Sequence, residues 1–276
     1  MIRLVVRRAA RGAAAPAAAA WLAVALACAP APEERPAASG GEATAPEATA
    51  PAVPPAAESE ADAGAGSPGP AEEAVVEELP VVVFLGDSLT AGYGLAEEQA
   101  WPAVLEERFA AEGLPFEGVN AGVSGDTSAG GLRRLDWVLR TRPDVVVVEL
   151  GANEGLRGLE LAPVEENLRQ VVERSRAAGA QVLLVGLRIP PNYGPDYTRR
   201  FAEIFPRLAE ELGVPLVPFL LEGVGGEPSL NLGDGIHPNV EGQRRVAEVV
   251  APHLRPLVAA AAAEGTAGTE AAAGAR

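Results

Sequence analysis

Five short apolar runs recur along residues 80–258, and longer segments with a helical spacing of apolar residues separate them. Such a run is typical of a strand that is buried on both faces. Buried strands that alternate with helices predict one parallel sheet covered by helices on both sides. Ligands of such sheets bind at the carboxyl ends of the strands, beside the point where strand order reverses. The predicted strands are Val81–Leu85, Phe116–Val119, Val145–Leu150, Val182–Val185 and Pro215–Phe219.

The rest of the chain lacks the branched and aromatic side chains that a core needs. Hydrophobic residues make up 48% of the 276 residues, but alanines near both ends supply much of that share. Residues 29–79 are rich in Pro, Ala, Glu and Gly, with eleven acids and one arginine, which predicts a disordered linker. Its ends would lie on the order of 40 Å apart as a flexible coil. Residues 259–276 are mostly Ala, Gly and Thr and predict a disordered tail, so the folded domain is 80–258.

Residues 1–28 have the profile of a secretion signal. The first eleven residues hold four arginines and no acid, and residues 12–27 are uncharged. That uncharged run is rich in alanine and shorter than the roughly 18 to 20 strongly apolar residues of a membrane-spanning helix. It ends in Val24–Cys28, which resembles the lipobox of bacterial lipoproteins and predicts a lipid anchor on Cys28. The alternative is ordinary signal-peptidase cleavage near Ala27 or Ala29. Either way, we expect an exported protein of the bacterial cell envelope, lipid-anchored to a membrane or periplasmic.

The charge and the cysteine count exclude several classes of function. All 22 basic residues are arginines, against 38 acids, and the formal net charge of −16 argues against nucleic acid as a partner. One cysteine and two histidines exclude an intramolecular disulfide, a zinc finger and a metal site built mainly from thiolates or imidazoles. A cation site made of carboxylates alone stays open. No metal or organic cofactor is predicted.

A serine follows the first predicted strand directly, in Gly86–Leu89. A serine in a strand-to-helix turn, next to a small residue, is placed like a nucleophile at the mouth of the crevice. The turn is not a G-x-S-x-G elbow, which excludes the common α/β-hydrolase assignment. Taken alone, a serine in such a turn is more often a helix cap than a nucleophile.

A nucleophilic serine needs a base, and the base needs a carboxylate to orient it. His237 follows the fifth strand, and Asp234 lies three residues upstream in a loop that Gly233 and Gly235 allow to turn tightly. One loop can therefore deliver both partners. His253 lies late in the last predicted helix beside a proline, and we interpret it as a structural side chain.

Donors for a developing oxyanion are available in the loops after the first three strands. Three donors could converge there: the backbone N–H groups of Ser88 and Gly125, and the side-chain amide of Asn153. Each has a structural alternative, with Gly125 as a turn glycine and Asn153 as a loop cap. We interpret Asp126 as the N-cap of the helix that follows.

These residues together carry a family resemblance. Four segments, in chain order, resemble the four motif blocks of the SGNH (GDSL) hydrolases. They are Gly86–Leu89, Gly125, Gly151–Asn153 and Asp234–Asn239. Residues 155–158 and 190–194 are similar to segments of the family's bacterial thioesterase, arylesterase and lysophospholipase branch. Glu154 stands where that branch usually has Asp.

The resemblance covers about residues 80–258 and implies a fold and a site. The fold would be a three-layer, flavodoxin-like α/β domain with a five-stranded parallel sheet in the order 2-1-3-4-5. Ser88 would be the nucleophile, His237 the base and Asp234 its orienting carboxylate. Ser88, Gly125 and Asn153 would form the oxyanion hole.

We therefore predict a serine esterase, a monomer that hydrolyses small acyl esters or thioesters through an acyl-enzyme. The loops after strands three and four would line the acyl pocket with Leu156, Leu159, Ile189 and Tyr193. Two alternatives stay open. One is an O-acetylesterase that acts on envelope polysaccharide, and the other is a non-catalytic envelope binding module.

Overall fold

The structure, a computed structural model, describes residues 78–274. The predicted signal peptide, Cys28 and residues 29–77 of the predicted linker lie outside the described residues. A five-stranded sheet in the order β2-β1-β3-β4-β5 forms the centre, and every neighbouring pair is parallel. This confirms the predicted fold class and strand order. The strands are β1 (Val81–Gly86), β2 (Glu117–Gly122), β3 (Val145–Glu149), β4 (Gln181–Val185) and β5 (Leu216–Val217).

The composition of the strands matches their depth in the sheet. β1 and β3 lie in the middle and are buried along their whole length, as their runs of valine and other apolar residues require. The edge strand β2 is mostly half-buried and contains glycine and asparagine. The sheet core therefore coincides with the continuous apolar runs of the sequence.

Helices cover both faces of the sheet. α2 packs against α7 on one face, and α5 packs against both α3 and α6 on the other. The helix α6 shows the sequence basis of this packing, because Phe201, Ile204, Phe205 and Leu208 are buried at the spacing of one helical face. The helices are α1 (Ser88–Ala91), α2 (Trp101–Ala111), α3 (Ser128–Val138), α4 (Ala152–Leu156), α5 (Leu161–Ala177), α6 (Pro195–Leu212) and α7 (Val240–Gly274).

The last helix extends past the predicted domain boundary at 258 into the stretch predicted as a disordered tail, because α7 continues to Gly274. Alanine has the highest intrinsic helix propensity, and Val258 and Ala261 pack into the core, so the helix does not end at 258. Residues 240–266 are long and apolar enough to span a membrane by composition. Val246, Val250 and Leu254 are nevertheless buried in the protein core, as in a core helix of a soluble domain.

The strand order fixes where a ligand would bind. From β1 the chain first adds β2 on one side of β1 and then β3 on the other. The order therefore reverses beside the carboxyl end of β1, where Ser88 begins α1.

Candidate active site

The turn after β1 holds Ser88 in a tightly packed position. Asp87 is the N-cap of α1, and its Oδ1 accepts a hydrogen bond of 3.0 Å from the N–H of Leu89. A Cβ on Gly86 would lie 2.1 Å from Oγ1 of Thr90 and 2.7 Å from Oε2 of Glu149, so this position requires glycine. Because Gly86 has no side chain, the turn packs directly against the end of β3.

A second loop, before α7, brings His237 and Asp234 together. Oδ1 of Asp234 accepts hydrogen bonds from the N–H groups of Ile236 (2.9 Å) and His237 (3.0 Å). Gly235 supplies the positive φ, 68°, that this tight turn needs. The N–H of Leu232 donates to the carbonyl of His237 at 2.7 Å and closes the loop.

The two loops meet at the carboxyl edge of the sheet. Nδ1 of His237 lies 2.7 Å from Oδ2 of Asp234, and Nε2 lies 2.9 Å from Oγ of Ser88. Hydrogen bonds from the backbone of His237 and Ile236, and then from the imidazole, lower the pKa of Asp234 to about 2. Asp234 is therefore ionised at neutral pH and can hold the Nδ1–H tautomer of His237. The other histidine, His253, lies on α7 and is partly exposed.

Tyr93 also contacts His237, and the sequence analysis missed it. The two rings stack with centroids 4.4 Å apart and planes 35° apart. The N–H of Tyr93 donates to the carbonyl of Ser88 at 3.0 Å, and the neighbouring Gly92 and Gly94 both have positive φ. The signal available in the sequence was an aromatic residue between two glycines, just after the serine turn.

Asn153 connects the serine turn to the loop after β2. Its Nδ2 donates to Oδ2 of Asp87 at 3.2 Å and to the carbonyl of Asp126 at 2.8 Å. Gly125 lies in that loop, exposed and with a φ of 81°. The structure therefore brings Ser88, Gly125 and Asn153 to the same edge, at the ends of three adjacent strands.

The expected N-cap role of Asp126 is wrong. Thr127 caps α3, because its Oγ1 accepts from the N–H of Gly130 at 3.1 Å. Oδ2 of Asp126 instead accepts from Nε of Arg134 at 2.7 Å. A β-branched threonine next to the aspartate can take the cap, which frees the carboxylate for the ion pair.

Arg134 is a second residue that the sequence analysis missed. Its two terminal nitrogens donate to the carbonyl of Ala121 at 2.6 Å and to that of Gly86 at 2.9 Å. With its bond to Asp126, this guanidinium joins the ends of β1 and β2 to the loop that carries Gly125. An arginine within a helix pattern carries no local signal for this role.

Glu154 reaches a different helix from its position next to Asn153. Its Oε1 accepts from the N–H of Ser128 at 2.7 Å and from Oγ of Ser128 at 2.5 Å. Asn167 donates to the same hydroxyl at 3.0 Å. The carboxylate is thus held at the start of α3, where N–H groups lack partners within the helix. The longer side chain at this position keeps α4 attached to α3.

The predicted pocket residues lie in two loops that contact each other. The hydroxyl of Tyr193 donates to the carbonyl of Leu156 at 2.6 Å, and that of Tyr197 donates to the carbonyl of Leu159 at 2.7 Å. Leu159 is exposed and Ile189 is buried. An open groove of about 500 Å³ lies beside these loops, and Ile189 alone of the four predicted residues lines it. Its lining is Arg188, Ile189, Pro191, Pro195, Thr198, Arg199 and Ala202.

Within residues 78–274, no group of three or more histidine, cysteine, aspartate or glutamate side chains is arranged to hold a metal ion. The groups that the structure gathers at this edge include a hydroxyl, an imidazole, a carboxylate and amide donors.

Comparisons with known proteins identify the family of this chain. The GDSL-like Lipase/Acylhydrolase family matches residues 84–245. Esterase TesA of Pseudomonas aeruginosa is 46% identical over 188 residues, 68% of this chain and 92% of that protein. Thioesterase 1/protease 1/lysophospholipase L1 of Escherichia coli is 44% identical over 178 residues, 64% of this chain and 84% of that protein.

A solved structure shares the fold as well as the sequence. Esterase EstA from Pseudoalteromonas sp., inhibited by monoethylphosphonate, superposes with a TM-score of 0.61 at 37% identity, over 64% of this chain and 97% of that one. The family match covers more than half of the chain, and the relatives are matched over most of their length. The chain belongs to the GDSL-like lipase/acylhydrolase (SGNH) family and is a carboxylic ester hydrolase.

Proposed function

We propose that Ser88, His237 and Asp234 hydrolyse acyl esters and thioesters through a covalent acyl-enzyme. The observation that carries this proposal is the continuous pair of contacts from Oγ of Ser88 to Nε2 of His237 and from Nδ1 of His237 to Oδ2 of Asp234. Both distances are within the range of hydrogen bonds that transfer a proton.

The roles follow from these contacts. His237 takes the proton of Ser88 as its oxygen attacks the carbonyl carbon, and then gives that proton to the leaving alcohol or thiol. Water, deprotonated by the same imidazole, cleaves the acyl-enzyme. Asp234 keeps the imidazole in one tautomer and stabilises the imidazolium.

The oxyanion would be stabilised by the N–H groups of Ser88 and Gly125 and by the amide of Asn153. Ser88 is the first residue of α1, so its N–H has no acceptor within that helix. Both bonds of the Asn153 amide are made to protein atoms in the free enzyme, and the bond to Asp87 is the longer of the two. The N–H that donates to Asp87 would therefore also donate to the oxyanion, in a shared hydrogen bond that keeps the contact with Asp87.

The substrate class rests on the two loops after β3 and β4. The apolar side chains of these loops favour an acyl chain over a sugar. These side chains are Leu156, Leu159, Ile189 and Tyr193. An O-acetylesterase of envelope polysaccharide and a non-catalytic binding module are not favoured, because the named relatives are esterases or thioesterases and the site residues are all present.

Export and a lipid anchor on Cys28 are part of the proposal and rest on the sequence of residues 1–28. We expect Cys28→Ser to release the enzyme in soluble form or to accumulate uncleaved precursor. Membrane fractionation of cells that express each form tests this. Unchanged partition into the membrane would exclude lipidation.

Activity on p-nitrophenyl esters of increasing chain length tests the enzyme function. We expect turnover by the wild type, background rates for Ser88→Ala, and labelling of the wild type alone by a serine-reactive phosphonate. Turnover by Ser88→Ala at the wild-type rate would overturn the assignment of the nucleophile.

Asn153→Ala separates the oxyanion role from a structural one. We expect kcat to fall by about 10² to 10³ with KM nearly unchanged. Rates are normalised to the phosphonate-labelled fraction, so that a loss of folded protein is not counted. A lower Tm without a fall in normalised kcat would assign Asn153 a structural role only.

A further inference from the structure

A second carboxyl group lies directly beneath the serine turn. Glu149 is the last residue of β3 and lies opposite Gly86 in the register of β1 and β3. Its side chain is fully buried, as is that of Asp87. The mechanism above uses neither group as an acid, a base or a nucleophile.

The surroundings of Glu149 contain hydrogen-bond donors but no cation. Its Oε2 accepts from Oγ1 of Thr90 at 2.7 Å and from the N–H of Asp87 at 3.3 Å. The bond from the N–H of Asp87 places the two side chains next to each other, and each carboxyl group acts on the pKa of the other. Among the described residues, no basic side chain acts on Glu149.

Two neighbouring carboxyl groups that are buried without a cation do not both ionise, because desolvation and the repulsion between two negative charges oppose it. The pair therefore retains a proton. Burial raises the pKa of Asp87 to about 6, and burial together with the charge of Asp87 raises that of Glu149 well above its usual value. Within the described part of the chain, the basic group that acts on Asp87 is His237, and it favours the ionised form.

The hydrogen bonds indicate which of the two carries the proton. Asp87 accepts from Leu89 through Oδ1 and from Asn153 through Oδ2, as an ionised carboxylate does. Oε1 of Glu149 is buried and accepts from no donor. An oxygen without a donor fits the hydroxyl of a neutral acid, which itself donates.

We propose that Glu149 is a positioning residue that donates its carboxyl proton in a hydrogen bond to Asp87 and so holds Asp87 against the amide of Asn153. This inference rests on the proposed function, in which Asn153 stabilises the oxyanion. Asp87 also precedes Ser88 in the chain, so the same contact orients the start of the turn that carries the nucleophile.

Two substitutions at Glu149 test the role in positioning. Glu149→Gln replaces a neutral acid with a neutral amide that has a donor and an acceptor in similar places, so we expect kcat within about 3-fold of wild type. Glu149→Leu removes the donor, and we expect kcat to fall about 10-fold or more with KM within about 2-fold. Equal losses in both variants, or an unchanged kcat in Glu149→Leu, would overturn the proposal.

Infrared spectroscopy tests the proton itself and does not depend on how well Glu149→Leu folds. We expect wild-type protein at pH 7 to show the C=O stretching band of a neutral carboxylic acid that Glu149→Gln lacks. Identical spectra in this region would overturn the proposal.

The controls separate this inference from the proposed function. If Ser88→Ala is inactive while Glu149→Leu keeps full kcat, the positioning role alone fails. If the phosphonate does not label Ser88 in wild-type enzyme, the proposed function fails, and the positioning role fails with it.

Discussion

Two aspartates lie in the proposed active site and differ in their surroundings: Asp87 accepts hydrogen bonds from Leu89 and Asn153, and Asp234 accepts three from Ile236 and His237. Asp87, beneath the serine turn, is fully buried, whereas the side chain of Asp234 is 37% exposed. Burial raises the pKa of Asp87 to about 6, and hydrogen bonds lower the pKa of Asp234 to about 2. The hydrogen bonds decide the pKa where water still reaches the carboxylate, and desolvation decides it in the core.

This difference separates two tasks within one site. In the proposed mechanism, the exposed loop supplies His237 and Asp234, which take and stabilise the proton of Ser88. The buried side supplies the framework beneath Ser88, so a change there affects folding as well as activity. Substitutions in the exposed loop should therefore lower kcat with little effect on Tm, whereas substitutions on the buried side should lower both.

Asp234→Asn should have the largest effect on activity and little effect on stability. An asparagine oxygen can still accept from the backbone N–H groups of the loop, but its amide would disfavour the Nδ1–H tautomer of His237. We expect kcat to fall by about 10³ to 10⁴, with Tm within about 2 °C of wild type. Steady-state kinetics and thermal melting measure both, and a fall in kcat of less than 10-fold would contradict the role of Asp234.

Above about pH 4.5, where Asp234 is ionised in both the folded and the unfolded state, the pH dependence of stability should come from the buried side. The folded state keeps protons on Asp87 and Glu149 that the unfolded chain has lost above about pH 4.5. Stability therefore falls as pH rises from about 4 to 6 through Asp87, and continues to fall above pH 6 through Glu149.

Tm measured from pH 4.5 to 7.5 in wild type and in Glu149→Gln tests this expectation. The net charge of −16 adds its own slope to both proteins, so the comparison is between the two slopes. We expect the unfolding free energy obtained from these melts to fall less steeply with pH in Glu149→Gln than in wild type, by up to about 1 kcal/mol per pH unit. Equal slopes would mean that Glu149 ionises alike in the folded and unfolded states.

Asp87→Asn should lower stability more than Asp234→Asn does. If the asparagine oxygen keeps the bond from Leu89, its amide faces the amide of Asn153, donor against donor. We expect a loss of about 1 to 3 kcal/mol in unfolding free energy, together with a lower kcat. The matched control is Asp196→Asn on the exposed start of α6, which should leave both unchanged. A Tm for Asp87→Asn equal to that of the control would contradict the comparison.

Tyr93→Leu should have the smallest of these effects. A stacked aromatic pair contributes about 0.5 to 1.5 kcal/mol, so we expect kcat/KM to fall about 2- to 10-fold without a change in Tm. Tyr93→Phe keeps the ring and should match wild type. If Tyr93→Phe loses as much activity as Tyr93→Leu, the hydroxyl matters and the stacking does not.

Several parts of the fold and site could be predicted from the sequence. The strands appear as continuous apolar runs because both faces of a central parallel strand are buried. Asp234 and His237 could be paired because they share one short loop, and Ser88 because it follows a strand directly. From 259 onward, alanine-rich sequence fits both a disordered tail and a helix, and packing of Val258 and Ala261 favours the helix at the start of this stretch.

The strand order followed from the family resemblance of the sequence, and the three side chains of the proposed triad and their meeting edge followed from the motifs. The contacts around these side chains depend on how the chain folds. Tyr93 meets a histidine 144 positions away, Arg134 reaches the carbonyl of Gly86, and Glu149 lies beneath Asp87. Such contacts join residues far apart in the chain, so no local pattern of polarity encodes them. A buried glutamate at the end of a strand becomes a neutral acid only because the fold removes water and places a second carboxyl group beside it.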